Sequence, residues 1–255
     1  MFRFFRNIRK QSLSGSRLGK YLLYAVGEVL LIVLGVLIAL GIDNWNQDRL
    51  SREKEQFYLS GLQTEFESSR RKLENLIEVN RVNSEGAKII AGFITQEIPP
   101  DESRLSELLF QAFSNEIAFN PNTSLLNELI NSGGFKEISN AELRKHLTAW
   151  DAFMQTIRRQ EAALSDQRER VLEIFQSDAA SIRTIFDDVG ITSGEMGLAK
   201  SPDHMSNLKI LKSRAFENNL LLFITTGMTT ETVHYQPLLA EIDLILGLVR
   251  KEIKE

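Results

Sequence analysis

The chain has 255 residues, with 30 Lys and Arg against 34 Asp and Glu. It has no cysteine, which excludes disulfides, zinc–thiolate sites and thiol catalysis. Six basic residues and one acid in residues 1–42 give that stretch +5 and leave −9 on residues 43–255, an acidic body that argues against nucleic acid as a partner.

Residues 1–20 read MFRFFRNIRKQSLSGSRLGK and carry Arg3, Arg6, Arg9, Lys10, Arg17 and Lys20 with no acid between them. Phe2, Phe5 and Ile8 recur at roughly helical spacing, and two readings stand side by side. One is a short interfacial amphipathic helix. The other is a positive topogenic flank with a few apolar residues, since a helix of that length is marginal away from a membrane.

Tyr21 to Ile42, YLLYAVGEVLLIVLGVLIALGI, holds 14 Leu, Ile or Val residues and one acid, Glu28. At about 1.5 Å per residue it reaches roughly 33 Å, against a hydrocarbon core of about 30 Å. Its aliphatic residues favour insertion by roughly 4–8 kcal/mol in total, against about 2–3 for the single Glu. A transmembrane helix is the expectation, with Tyr21 and Tyr24 at one interface and Trp45 at the other. The positive-inside rule puts residues 1–20 in the cytoplasm and residues 43–255 across the membrane. A cleaved signal peptide competes, because Ala39-Leu40-Gly41 has small residues at cleavage-type positions. An apolar run of this length exceeds the usual signal core.

Within the segment, Glu28 lies about 12 Å inside the boundary set by Lys20. It is a candidate protonatable relay or a partner for a basic residue on another helix. The plainer reading is an acid that is protonated or snorkels to the headgroups. Gly27, Gly35 and Ala39 offer a small face, with Gly35 and Ala39 as a small-xxx-small pair that permits close helix packing.

The runs Lys20–Glu28 (KYLLYAVGE), Gly35–Leu40 (GVLIAL) and Ile42–Asn46 (IDNWN) resemble the N-terminal signature of an uncharacterised family of bacterial single-pass membrane proteins, a domain of unknown function. A weaker similarity covers Asn127 to Leu147. The chain has Gly41 and Asp43 where the family pattern has Gln and Asn, so no role carries over there. The resemblance implies a bacterial inner-membrane location and brings no catalytic residues.

Beyond Trp45 the helical pattern continues as a stalk: Leu59, Leu62, Phe66, Leu73, Leu76 and Ile77 share a face, with no proline before Pro99-Pro100. A second helix fits Leu105, Leu108, Leu109, Ala112 and Phe113. A third, short one carries Leu125, Leu126, Leu129 and Ile130 and stops at Ser132-Gly133-Gly134. Ser139-Asn140-Ala141-Glu142 reads as a capping box. It opens the best-patterned helix, with Leu143, Leu147, Trp150, Met154, Ile157, Leu164, Val171 and Phe175 on one seam. Glu161 and Arg168 occupy two slots of that seam. They read either as inward groups pairing across the core or binding a polar ligand, or as a solvent-facing rim. Residues from about 187 to 206, with three glycines and Pro202, read as a long loop. The last helix starts between Asn207 and Arg214, and Pro237 is expected to kink or break it.

The fold expected is therefore all-α. It comprises a basic arm (1–20), a transmembrane helix (21–42) continuing as a stalk, and an extracytoplasmic antiparallel helical bundle (43–255). No phosphate loop, nucleophile elbow or HExxH motif is present, and His146, His204 and His234 are scattered. No catalytic, cofactor-binding or metal residue is predicted, nor any small-molecule substrate. The expected function is a non-enzymatic sensing, interaction or structural module, and an arm of 20 residues implies that any output passes through a partner. Expected partners are membrane lipid and either a second copy or another membrane protein. The alternative is a subunit of an ion-coupled or transport complex that uses Glu28.

Overall fold

Nothing from Arg17 to Ile94 interrupts helix: the stretch has no proline, and its few glycines stand singly. In the computed structural model, which describes the backbone from residue 17 and side chains from residue 21 to residue 253, it is a single helix, α1 (Arg17–Ile94). The interfacial helix considered for the first ten residues lies outside the described residues. The other regular elements among the described residues are helical too, with no strand. The chain divides into two compact units, Met1–Glu55 and Gln56–Glu255. The division falls 13 residues beyond Ile42, where the apolar run ends.

In the first unit, the apolar part of α1 is long and hydrophobic enough to cross a membrane, with a mean hydropathy of 2.7 over its best 18-residue window. None of that window is buried. Among the described residues it is the one helix with this property.

The second unit has its own core. From Gln56 onward, α1 contributes Leu59, Leu62, Phe66, Leu73 and Ile77, all buried. Then follow α2 (Glu102–Phe113), α3 (Ser124–Ser132), a 3-10 turn (Gly134–Glu137), α4 (Ala141–Phe175) and α5 (Ile182–Asp188). A second 3-10 turn (Leu208–Lys212) leads into α6 (Arg214–Thr229), a π-helical turn (Thr230–Tyr235) and α7 (Gln236–Glu252). The helix α4 packs on α6 and α7, and α2 packs on α5. The seam of α4 is buried along its length, from Leu143 to Phe175.

Local chemistry explains the boundaries. Gly133 ends α3 in the left-handed conformation, φ 68°, where a side chain would be strained. The cap of α4 comes from Asn140 rather than Ser139. Its Oδ1 accepts from Leu143 N at 3.0 Å, so the helix begins one residue later than a Ser139 capping box requires. Asn caps as well as Ser, and Asn140 also donates from Nδ2 to Glu252 at 2.7 Å, a tie to α7. The α3 N-terminus is capped from another helix: Leu125 N and Leu126 N donate to the Glu65 carboxylate at 2.7 and 3.3 Å.

Two expectations need correction. The loop expected from about 187 begins later, because Asp187 and Asp188 form the last turn of α5. Seven residues are too few to show a period, and the start signal is Ser181, whose hydroxyl accepts from Thr184 N at 3.1 Å. Of the kink or break expected at Pro237, the break does not occur. The proline lacks an N–H and its ring crowds the carbonyl four residues back. The turn just before it opens to the wider π geometry, and the chain stays helical into α7.

Candidate functional site

The candidates in the apolar segment of α1 all lie in the first unit. Glu28 is exposed. A Cβ added at Gly27, Gly35 or Gly41 meets nothing within 4 Å. Tyr21, Tyr24 and Trp45 are 79%, 76% and 67% exposed, and Ala39 is exposed as well. Among the described residues, nothing packs closely against the three glycines, and the aromatic side chains remain mostly exposed.

In the second unit, Glu161 and Arg168 project from α4 and go to different places. Glu161 is 7% exposed. Its Oε1 accepts from the Tyr235 hydroxyl at 2.6 Å and from Phe119 N at 2.8 Å. Burial pushes the Glu161 carboxyl above the ordinary range, opposed by those two hydrogen bonds and more weakly by Arg158. Burial likewise raises the Tyr235 phenol, and the neighbouring carboxylate adds to the effect. The π turn sets this up. Thr230 and Tyr235, five residues apart, are both fully buried. Gln160 donates to Thr230 Oγ1 at 3.0 Å, one residue before Glu161 reaches Tyr235. Two adjacent polar residues of α4 thus grip both ends of one widened turn. Enclosed in this way, Glu161 and Tyr235 fasten helices together, and neither lines the cleft described next.

Arg168 lies two turns further along α4. Its Nε–H donates to Phe113 O at 2.8 Å and its Nη1 pairs with Glu169 at 2.8 Å, so it makes its bonds elsewhere than with Glu161. It lines a cleft of about 580 Å³ between the end of α2, the second half of α4, α5 and the turn at residues 191–196. The walls are mostly apolar, with Phe110 and Phe186 in edge-on contact at 6.5 Å. Polar groups in the lining are Ser114, Asn115, Arg168 and Glu195. The cleft has the size and composition of a small-molecule site, roughly 300–1,000 Å³ and chiefly hydrophobic.

Loop 189–207 is held from both ends. Asn207, fully buried, accepts from Ser181 N at 2.7 Å and donates to Ser181 O at 2.9 Å. Glu102 accepts from Asn207 N at 2.7 Å and from the Ser206 hydroxyl at 2.5 Å. Asp187 accepts from Ser201 N at 2.9 Å, the bond that chiefly holds its carboxyl below the ordinary carboxylate range. Arg183 bridges Asp187 to the Ala199 carbonyl.

His146 Nδ1 meets Glu241 at 2.6 Å. Among the described residues no three His, Cys, Asp or Glu gather around a point that would hold a metal ion.

Sequence reasoning missed several of these groups. A polar face of α1 (Ser69, Asn80, Asn83 and Ser84) is buried. Asn80 donates to Gly227 O at 3.0 Å, where α1 and α6 approach closely. Gly227 in an otherwise unbroken helical run was the available signal, since an interior glycine that costs about 1 kcal/mol in propensity often marks close packing. Tyr235 and the cleft carry no local signature. No protein-family model, curated protein or solved structure matches this chain.

Proposed function

We propose that this is a single-pass membrane protein whose α1 crosses the bilayer and whose helical domain is a non-enzymatic sensing or interaction module. The observation that carries the reading is the apolar stretch of α1, with a mean hydropathy of 2.7 and none of its best window buried. Leaving that much apolar surface in water costs about 25 cal/mol per Å², and a bilayer removes the cost. The basic arm and acidic body orient the segment, with residues 1–20 cytoplasmic and the domain on the far side as an antiparallel bundle. The KYLLYAVGE-type signature agrees with a bacterial inner membrane.

Binding suits the domain better than catalysis. The buried acid Glu161 spends its hydrogen bonds on Tyr235 and Phe119, and the described lining of the cleft offers apolar walls with one cation. Membrane partners, whether lipid, a second copy or another protein, meet the bare Gly27, Gly35 and Ala39 face. The position of Glu28 in that segment favours a second reading, a subunit of an ion-coupled or transport complex.

Alkaline phosphatase fused after residue 50 is expected to be active, and a cytoplasmic reporter there silent. The reverse pattern overturns the orientation, and release of the full chain from membranes by alkaline carbonate overturns the anchor. Replacing Glu28 by Gln separates the two roles: unchanged assembly and phenotype removes the transport reading.

A further inference from the structure

We propose that the cleft between α2, α4, α5 and the 191–196 turn binds a single-chain amphiphile with an anionic head, its chain against Phe110, Leu172 and Ile185 and its head on Arg168. The inference rests on the reading of residues 56–255 as a binding module and names the ligand that module takes.

Shape and composition come first. A volume of about 580 Å³ lies inside the range of small-molecule sites. Ten of the fourteen lining residues are apolar, so the body of the ligand is apolar too. The mouth is also apolar: Ile182 and Met196 line it and remain 42% and 50% exposed. Such surface next to an open hydrophobic cleft is what a ligand removes from water.

Charge selects the head. Arg168 is the one cation in the wall among the described residues, set in a domain of net negative charge. Its side chain is 17% exposed and is fixed by the Nε–H bond to Phe113 O. The Nη1 contact is to Glu169, which is 53% exposed and so is a screened, exchangeable surface partner. A guanidinium has five donors, and these two contacts use one each, which leaves donors of the fork for a carboxylate.

The far wall is preformed. Gly190 and Gly197 take positive φ, 84° and 63°, at the two ends of the turn. Within it Gly194 N donates to Gly190 O at 2.9 Å and Met196 N donates to Ile191 O at 3.0 Å. A turn closed by its own bonds costs little further ordering when the ligand arrives. Glu195 works against an anion from the exposed rim of the same turn, and that gives the proposal a test of opposite sign.

The full chain, held in an amphipathic polymer without detergent, is titrated with carboxyl-¹³C dodecanoate, and in parallel with dodecanol and dodecyltrimethylammonium. Dodecanoate is expected to saturate one site and give a distinct bound carboxyl resonance. Arg168→Gln weakens it about ten- to a hundredfold, the loss expected for charge-assisted hydrogen bonds. Glu195→Gln tightens it. Ile182→Trp, which fills the mouth and leaves Arg168 untouched, abolishes it, with unchanged Trp150 emission in the Arg168 and Glu195 variants reporting an intact core. Dodecanol or the cation binding as tightly as dodecanoate, with Arg168→Gln silent, overturns the anionic head and leaves the binding-module reading standing. No saturable site for any of the three overturns the proposal and takes the cleft away from that reading.

Discussion

Replacing Tyr235 by Phe removes one hydroxyl and keeps the ring, so it isolates the hydrogen bond to Glu161 at 2.6 Å. Two donors reach that carboxylate oxygen, and Phe119 N at 2.8 Å remains after the substitution. A hydrogen bond to a charged acceptor is worth about 1.5–3 kcal/mol, and one to a neutral acceptor about 0.5–1.5. The cost therefore depends on whether Glu161 is ionised. Burial raises its folded-state pKa above the ordinary value. Between the two values the folded state holds more protons than the unfolded state, so this group's contribution to stability falls as pH rises through that window. The Tyr235 bond opposes the shift, and losing it raises the folded pKa further. The variant is therefore expected to lose about 1 kcal/mol at acid pH, where Glu161 is protonated, and about 2 kcal/mol at pH 8. For a unit of this size, 2 kcal/mol corresponds to roughly 4–8 °C in melting temperature. The assay is thermal and urea unfolding of the full chain in mild detergent, in a Trp45→Phe background. The remaining Trp150 is buried against Phe66, centroids 4.9 Å apart, and reports the core alone. An equal loss at both pH values, or a larger one at acid pH, refutes the argument that Tyr235 serves an ionised Glu161.

Two further substitutions test the packing. Gly227→Ala places a Cβ 2.6 Å from Ser84 Oγ, and the overpacking, about 1–3 kcal/mol, outweighs the roughly 1 kcal/mol gained in helix propensity. Because the buried Ser84 hydroxyl has no hydrogen-bond partner, Ser84→Ala alone is neutral or stabilising, and in the double variant it recovers most of the loss; a double-mutant cycle with no coupling refutes the close contact. Asn140→Ala is expected to cost about 1–2 kcal/mol through the lost cap of α4 and the lost bond to Glu252; no measurable loss by urea unfolding refutes that role.

Wherever a local pattern repeats, the chain declared its structure in advance. The apolar run from Tyr21, the seam from Leu143 to Phe175 and the stop at Gly133 are periodic or conformational signals, contained in one helix or one turn. Burial of a helix face needs apolar residues every three or four positions, so the sequence must show them. Partners are a different matter. Glu161 and Tyr235 meet across 74 residues, and nothing near Glu161 distinguishes an inward acid from a rim acid. Arg168, one heptad on in the same seam, takes a carbonyl of α2. The π turn needed both Pro237 and the grip of Gln160 and Glu161 to declare itself, and only the first is local. The cleft exists because α5, too short to announce itself by period, is held against α2 by bonds such as that from Ser106 to Asp188 at 2.7 Å. The sequence by itself therefore determined where the long helices run and which stretch is apolar enough for a bilayer. Only the tertiary structure decided which charges turn inward, what they bind, and where a ligand fits, because those outcomes depend on distances between elements that no local spacing encodes.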